Sequence, residues 1–185
     1  MTTILGISGS LRQASLNTAL LRAIAAATPS GVRVEMATLH GIPLYDGDIE
    51  ASEGIPPAVA ALKERVAASD GLLLVTPEYN NAMPGVFKNA IDWLSRPPKD
   101  IPRIFGGRPV AVVGASPGGF GTLLAQTAWL PVLRTLGTRP WFGPRLAVSR
   151  AGSVFDAEGN LTDEKVREQV AAFVAGFAAF LRDGR

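Results

Sequence analysis

The sequence holds no cysteine and one histidine, His40, in 185 residues. Without cysteine there is no disulfide, no thiolate-bound zinc, no iron–sulfur cluster and no thiol nucleophile. A single histidine equally rules against a histidine-rich metal site, and no metal is expected. Charge of either sign is scarce in excess: 18 Lys+Arg stand against 16 Asp+Glu, for a net +2. The pI near 9.3 rests on that small surplus. No run of like charge stands out, so a nucleic-acid partner is not expected. No apolar run approaches the roughly 20 residues that span a bilayer. The chain opens at once on the strand-like "TTILGIS", with no charged segment ahead of a long apolar one. A cleaved leader, a membrane partner and a membrane location are therefore not expected, and the reading is a soluble cytoplasmic protein.

What is present is apolar: 47% of residues are hydrophobic, enough for one sizeable core and a single domain over 1–185. Short β-rich runs at 2–8, 32–38, 71–76, 109–115 and, more weakly, 139–148 alternate with helical patterns at 17–27, 57–69, 84–95, 121–136 and 163–182. The run "GLLLVTP" is continuously apolar, as a central parallel strand covered on both faces should be. In the last helix Val166, Val170, Phe173, Val174, Phe177, Phe180 and Leu181 mark one apolar stripe. Thr162 or Asp163 caps its start. Five strand–helix pairs predict a doubly wound α/β fold with right-handed crossovers. The stretch "SRPPKDIPRIFGGRP" reads as a surface connection. Its Arg96, Lys99, Arg103 and Arg108 suit solvent better than a nucleotide 2′-phosphate.

In such a fold ligands sit beyond the carboxyl ends of the strands. The turn "SGSLRQASLN" lies there, between strand 1 and helix 1. A helix N-terminus offers unpaired N–H groups and a positive dipole end to a phosphate. Ser8, Ser10 and Ser15 add hydroxyls, Asn17 an amide and Arg12 a permanent charge. Ser15 or Asn17 also reads as a simple cap. Neither a Walker loop nor a G-x-G-x-x-G fingerprint is present, which favours a mononucleotide with a terminal phosphate. Strand 3 ends in "TPEYNNAMPGVFKNAIDW", where Tyr79 could stack on a planar ring, although an ordinary strand-to-helix loop accounts for the same residues. Strand 4 ends in the glycine-rich "GASPGGFG".

Taken together, "GSLRQASLN", "IPLYDGD", "TPEYN", "PGVFKNAIDWLSRP" and "GASPGG" resemble the NADPH-dependent FMN reductase family, which includes flavodoxin-like quinone, chromate and azo-dye reductases. The resemblance covers nearly the whole chain. It implies a flavodoxin-like five-stranded parallel sheet in the order 2-1-3-4-5, helices on both faces and bound FMN. It implies an NAD(P)H oxidoreductase that passes two electrons from NADPH or NADH to a small-molecule acceptor: a quinone, azo compound, flavin, or metal ion such as chromate. By position, Ser10, Arg12, Ser15 and Asn17 would hold the phosphate. Pro77, Glu78, Tyr79 and Asn80 would line the isoalloxazine, largely through backbone groups, and Ser116 and Gly118 would close the far side. The flavin N5 would carry the chemistry, with no catalytic side chain. Asn81 departs from the pattern where some relatives carry an aromatic, which bears on acceptor choice.

Two rival readings start from the same residues. "GASPG" fits the G-x-S-x-G nucleophile elbow of a serine hydrolase around Ser116. Against it, the residue after Ser116 is Pro117, which has no N–H for an oxyanion hole, and His40 precedes the serine where that fold places its histidine after it. A flavodoxin-type electron carrier would share the fold but is typically strongly acidic, unlike this chain. Segment 121–136 is apolar all round, with Leu123, Leu124, Ala128, Trp129, Leu130, Val132, Leu133 and Leu136. That predicts a homodimer with the site near the interface, and the resemblance points the same way, with a homotetramer also implied. A break at Pro131 would instead divide those residues within a monomer.

Overall fold

The computed structural model describes residues 1–183, so the last two positions of the expected 1–185 domain lie outside the described residues. In chain order the elements are β1 (Thr2–Ser8), α1 (Leu16–Ala26), β2 (Val32–Ala37), α2 (Gly47–Glu53), α3 (Pro57–Ala68), β3 (Gly71–Val75), α4 (Gly85–Leu94), the single turn α5 (Ile101–Ile104), β4 (Pro109–Ala115), α6 (Leu123–Thr135), β5 (Arg139–Pro140), β6 (Ala147–Val148) and α7 (Glu164–Asp183). The strands pair in parallel in the order β2-β1-β3-β4-β5, and β6 joins β4 further along its length.

Every residue of β3 is buried, because its alternate side chains enter two separate cores. Leu73 and Val75 pack with α1 and α7, while Leu72 and Leu74 pack with α3, α4 and α6. Ile4 and Leu5 of β1 divide in the same way. This doubly covered sheet is the flavodoxin-like architecture, and it sends the β1, β3 and β4 loops to one end. Among the described residues no helix is long and apolar enough to cross a membrane.

Three local differences from expectation have physical causes. The fifth strand is not continuous over 139–148. The chain pairs with β4 at Pro140, leaves, and rejoins at Ala147. Pro140 and Pro144 cannot donate to a ladder, and Trp141 turns in against Phe173, 5.0 Å away between ring centroids. The detour leaves a cavity of about 270 Å³ between α6 and segment 140–145. The stretch expected to be a plain connection contains α5, whose end buries Ile104 and Phe105. Helix α2 escapes the apolar periodicity because it buries no residue; Asp46 caps it, accepting from Asp48 N at 2.8 Å.

Pro131 sits inside α6 without ending it. Ala125, Trp129 and Leu133 face the sheet, and Val132 packs in the same core. Leu123 and Leu130 line the cavity toward Trp141. The face opposite the sheet then carries Leu124 and Pro131 together with Thr127, Arg134 and Thr135, all exposed. The all-round apolarity is thus divided among core, cavity and a narrow outer strip.

Candidate functional site

The turn after β1 is built as an anion cradle. Ser15 is the N-cap of α1, its Oγ accepting from Thr18 N at 3.2 Å. Ser10 Oγ accepts from Arg12 N at 3.3 Å. Both serines are buried, and in these contacts each uses a lone pair, so each hydroxyl proton remains to be donated. Arg12 is exposed, and no acidic residue occupies the first turn of α1. Hydroxyl donors, a helix N-terminus and a guanidinium are the donor set that a phosphate monoester needs, so these residues fit the phosphate end of FMN. Gly9 makes the turn possible: a Cβ there would lie 2.3 Å from Phe87 Cδ1. Its N–H donates to Val75 O at 2.8 Å, tying the turn to the end of β3.

Asn17 also joins two of the loops. Its Nδ2 donates to Ala115 O at 2.8 Å and its Oδ1 accepts from Ala115 N at 2.9 Å, both buried. These bonds use one of the two Nδ2 hydrogens, so the side chain braces the loops and keeps a second N–H for a phosphate. It fastens the β1 turn to the end of β4.

The loop after β3 closes on itself. Tyr79 and Ala82 exchange N–H···O bonds at 3.0 Å across Asn80 and Asn81. These two have φ of 50° and 62°, the left-handed pair of a two-residue turn in which asparagine is at ease. Asn81 therefore suits the turn in a way that a bulky aromatic would not. The Tyr79 and Ala82 amides are committed and Pro77 has none, which leaves the N–H groups of Glu78, Asn80, Asn81 and Met83 in this loop. The Glu78 carboxylate points elsewhere: one oxygen accepts from both Leu124 N and Ala125 N at 2.9 Å. It satisfies two orphan donors at the start of α6, where the helix dipole favours an anion.

One cavity joins these loops. Its walls include Ser10, Arg12, Ser15, Asn17, Pro77, Glu78, Tyr79 and Ser116. Asn80 and Gly118 lie outside its lining, on exposed turns next to it. Leu16, Ala115 and Pro117 also line it, which the sequence did not single out. Ser116 Oγ accepts from Gly118 N at 3.1 Å. The one histidine is elsewhere, with His40 Nε2 3.2 Å from Leu11 O, so Ser116 has no histidine to activate it.

The arginines between α4 and β4 are occupied by structure. Arg96 Nε pairs with Glu50 at 2.8 Å, and this hydrogen bond holds the Glu50 carboxyl below its ordinary range. Arg103 grips Glu64 with two nitrogens, at 2.8 and 3.1 Å. Arg108 donates to the carbonyls of Ser69 and Ile104, and burial lowers its pKa.

A phosphate cradle at the β1–α1 turn, opposite a tight aromatic loop and a glycine loop in a 2-1-3-4-5 sheet, defines a flavodoxin-like FMN enzyme. The model of the NADPH-dependent FMN reductase family matches residues 2–153, and the chain belongs to that family. It is 47% identical to an NAD(P)H-dependent FMN reductase of Pseudomonas aeruginosa over 167 residues, 90% of this chain and 88% of that protein. It is 38% identical to a 2-hydroxy-1,4-benzoquinone reductase of a Burkholderia species over 179 residues, 97% and 96% of the two chains. Among solved structures it superposes on the flavoenzyme NAD(P)H:(acceptor) oxidoreductase FerB of Paracoccus denitrificans with a TM-score of 0.88, at 33% identity, over 99% of this chain and 98% of that one. The protein is an oxidoreductase that uses FMN with a nicotinamide co-substrate.

Two substitutions test the site. A charge-assisted hydrogen bond contributes about 1.5–3 kcal/mol, so Arg12→Ala should weaken FMN about tenfold or more in a flavin-fluorescence titration. Unchanged affinity would take Arg12 out of the cradle. Glu78→Gln keeps a carbonyl oxygen for the α6 amides while losing the charge. It should shift the flavin absorption spectrum yet leave most of the rate at which NAD(P)H bleaches it in stopped flow. A loss of about 10⁴-fold with FMN still bound, the upper range for general acid–base catalysis, would make Glu78 a catalytic residue.

Proposed function

We propose that the protein is a quinone reductase, taking electrons from NADPH or NADH and passing two of them to a small quinone. The observation that carries the reading is an open crevice whose lining carboxylate, Glu78, is bound to α6 and whose mouth exposes the Tyr79 ring. Tyr79 is 47% exposed at its mouth, Asn80, Asn81, Gly118 and Phe120 are exposed beside it, and the Glu78 carboxylate in its wall is bound to α6. Bound FMN supplies a two-electron carrier between the nicotinamide and the acceptor. The protein's part is then to hold the phosphate, to keep the Tyr79 and Gly118 loops in place, and to leave one side open to a planar ring. Reduction of a quinone by NAD(P)H consumes one proton from solution, the other hydrogen coming with the hydride, and asks nothing further of the walls. Relatives named for quinone reduction, in Burkholderia, Pseudomonas putida and Arabidopsis thaliana, support the same reading.

An anaerobic experiment decides the acceptor. The bound flavin is bleached with NADPH or NADH, then mixed with a benzoquinone, an azo dye, free FMN or chromate. The expected result is re-oxidation by the quinone at least about tenfold faster than by the others, the factor that about 1.4 kcal/mol of barrier difference makes. Equal or faster re-oxidation by another acceptor overturns the assignment.

The same reading includes a homodimer. Leu44, Ile49, Leu124, Leu130 and Phe142 are exposed on the molecule. The first two lie among Asp46, Asp48 and Glu53, and the last two near Arg134 and Arg145, so the surface offers acidic and basic apolar patches that complement one another in a second copy. Sedimentation equilibrium at micromolar protein should show twice the 19.4 kDa chain mass. Leu130→Arg should shift it to monomer. A wild-type species at the chain mass, flavin-loaded and active, ends the idea.

A further inference from the structure

A second cavity, of about 460 Å³, borders the phosphate cradle and shares Ser15 and Leu16 with it. The two are neighbours at these residues, and the second runs from there down the side of α1. Ser15, Ala19 and Arg22, spaced by four and three residues, lie in one stripe on that helix. At 1.5 Å rise per residue, Arg22 stands about 10 Å along the axis from the cap. Ala19 keeps the stripe low between them. The opposite wall is segment 152–159, with Phe155 at its base and Glu158 exposed at the rim.

Arg22 has no hydrogen-bond or ion-pair partner among the described residues. It is nevertheless seated: a Cβ on Gly159 would come within 2.5 Å of its Nη2, so the glycine turn leaves the space that the guanidinium fills. The nearby carboxylate of Asp156 is already engaged, accepting from Asn160 N at 2.7 Å and from Asn160 Nδ2 at 3.0 Å. The Glu158 carboxylate has no partner among the described residues. The groove thus offers an unpaired guanidinium, an aromatic floor, an unpaired carboxylate and the side-chain amide of Gln13, all beyond the terminal phosphate of a mononucleotide.

These are the groups that an adenosine 5′-phosphate unit takes up. A guanidinium meets a phosphate or stacks on the base, and a carboxylate accepts from ribose hydroxyls. We propose that this groove is an adenylate site next to the flavin phosphate, so that the protein binds FAD as well as FMN, with Arg22 as the residue that distinguishes the two. The proposal rests on the assignment of Ser10, Arg12 and Ser15 to the flavin phosphate. Loss of FMN binding would strike that assignment, whereas the outcomes below compare FAD against FMN.

The full-length chain is freed of flavin and titrated with FMN and with FAD, following flavin fluorescence. FAD should bind within about a hundredfold of FMN. Arg22→Ala should weaken FAD about tenfold, one charge-assisted contact, and leave FMN within twofold. Glu158→Gln, an exposed change that does not threaten folding, should weaken FAD by a smaller factor and again spare FMN. FAD that fails to bind at a thousand times the FMN Kd overturns the proposal. So does an Arg22→Ala variant that weakens both flavins equally, or neither. The nicotinamide dinucleotides carry the same adenylate and form the second arm. If Arg22→Ala raises the KM for NADPH or NADH in the FMN-loaded enzyme while FAD affinity is unchanged, the groove belongs to the co-substrate and the FAD assignment falls.

Discussion

The amide of Asn17 and the peptide of Ala115 are 98 residues apart in the chain and bonded to each other twice, at 2.8 and 2.9 Å, where water does not reach. The pairing is reciprocal, each side donating once and accepting once. Each bond contributes about 0.5–1.5 kcal/mol, but losing one partner would leave a buried group unpaired at about 1–3 kcal/mol. That asymmetry fixes how far the β1 turn stands from the β4 loop. Two further links complete the frame. Gly9 brings the β1 turn against Phe87 and Pro77. Glu78 ties the β3 loop to α6, which follows the β4 loop. Three loops that are far apart in sequence are thereby held as one crevice.

The same frame accounts for which parts of the site are legible in the sequence. The strands and long helices are legible because burial on two faces, or on one stripe, leaves a period in the residues: "GLLLV" and the α7 stripe both behave as their patterns require. The cradle residues Ser10, Arg12 and Ser15 are legible because hydroxyls and a cation gathered at a helix start make up the donor set of an anion site. Asn17 resembles a ligand in sequence because its amide stands in the same turn. Its pairing with the Ala115 peptide has no sequence signature. Glu78 is likewise a lone acid in a loop until the first turn of α6 is placed beside it. The β3 loop is recognisable as a flavin wall only by family resemblance, since its tight turn depends on two left-handed asparagines that composition alone does not announce.

Charge follows a similar division. With a net +2, the molecule has few cations to spare. Arg96, Arg103 and Arg108 are consumed in bonds to α2, to α3 and to the end of α3, respectively. Lys63, almost buried, is held by Asp100 at 2.6 Å. Arg12 and Arg22 are not consumed in this way, and both stand by the first two turns of α1, where the helix dipole has the same sign. The connecting loop that looks basic in the sequence thus spends Arg96, Arg103 and Arg108 on structure, while Arg12 is left in the wall of the phosphate cradle.

Helix α6 shows how one element can serve core, site and surface together. Its apolar residues are too many for one face, and the structure distributes them: Trp129 meets Phe87 edge-on at 5.0 Å under the sheet, Leu130 lines the cavity opened by the broken fifth strand, and Leu124 faces solvent. Leu124 is also one of the two residues whose N–H groups hold Glu78. The most exposed apolar position of the first turn and the anchor of the flavin loop are therefore the same residue, through its side chain and its backbone respectively. A second subunit packed on Leu124 would restrain the turn that fixes the β3 loop. The crevice and the outer surface of α6 are in this way one mechanical unit, joined by a single carboxylate.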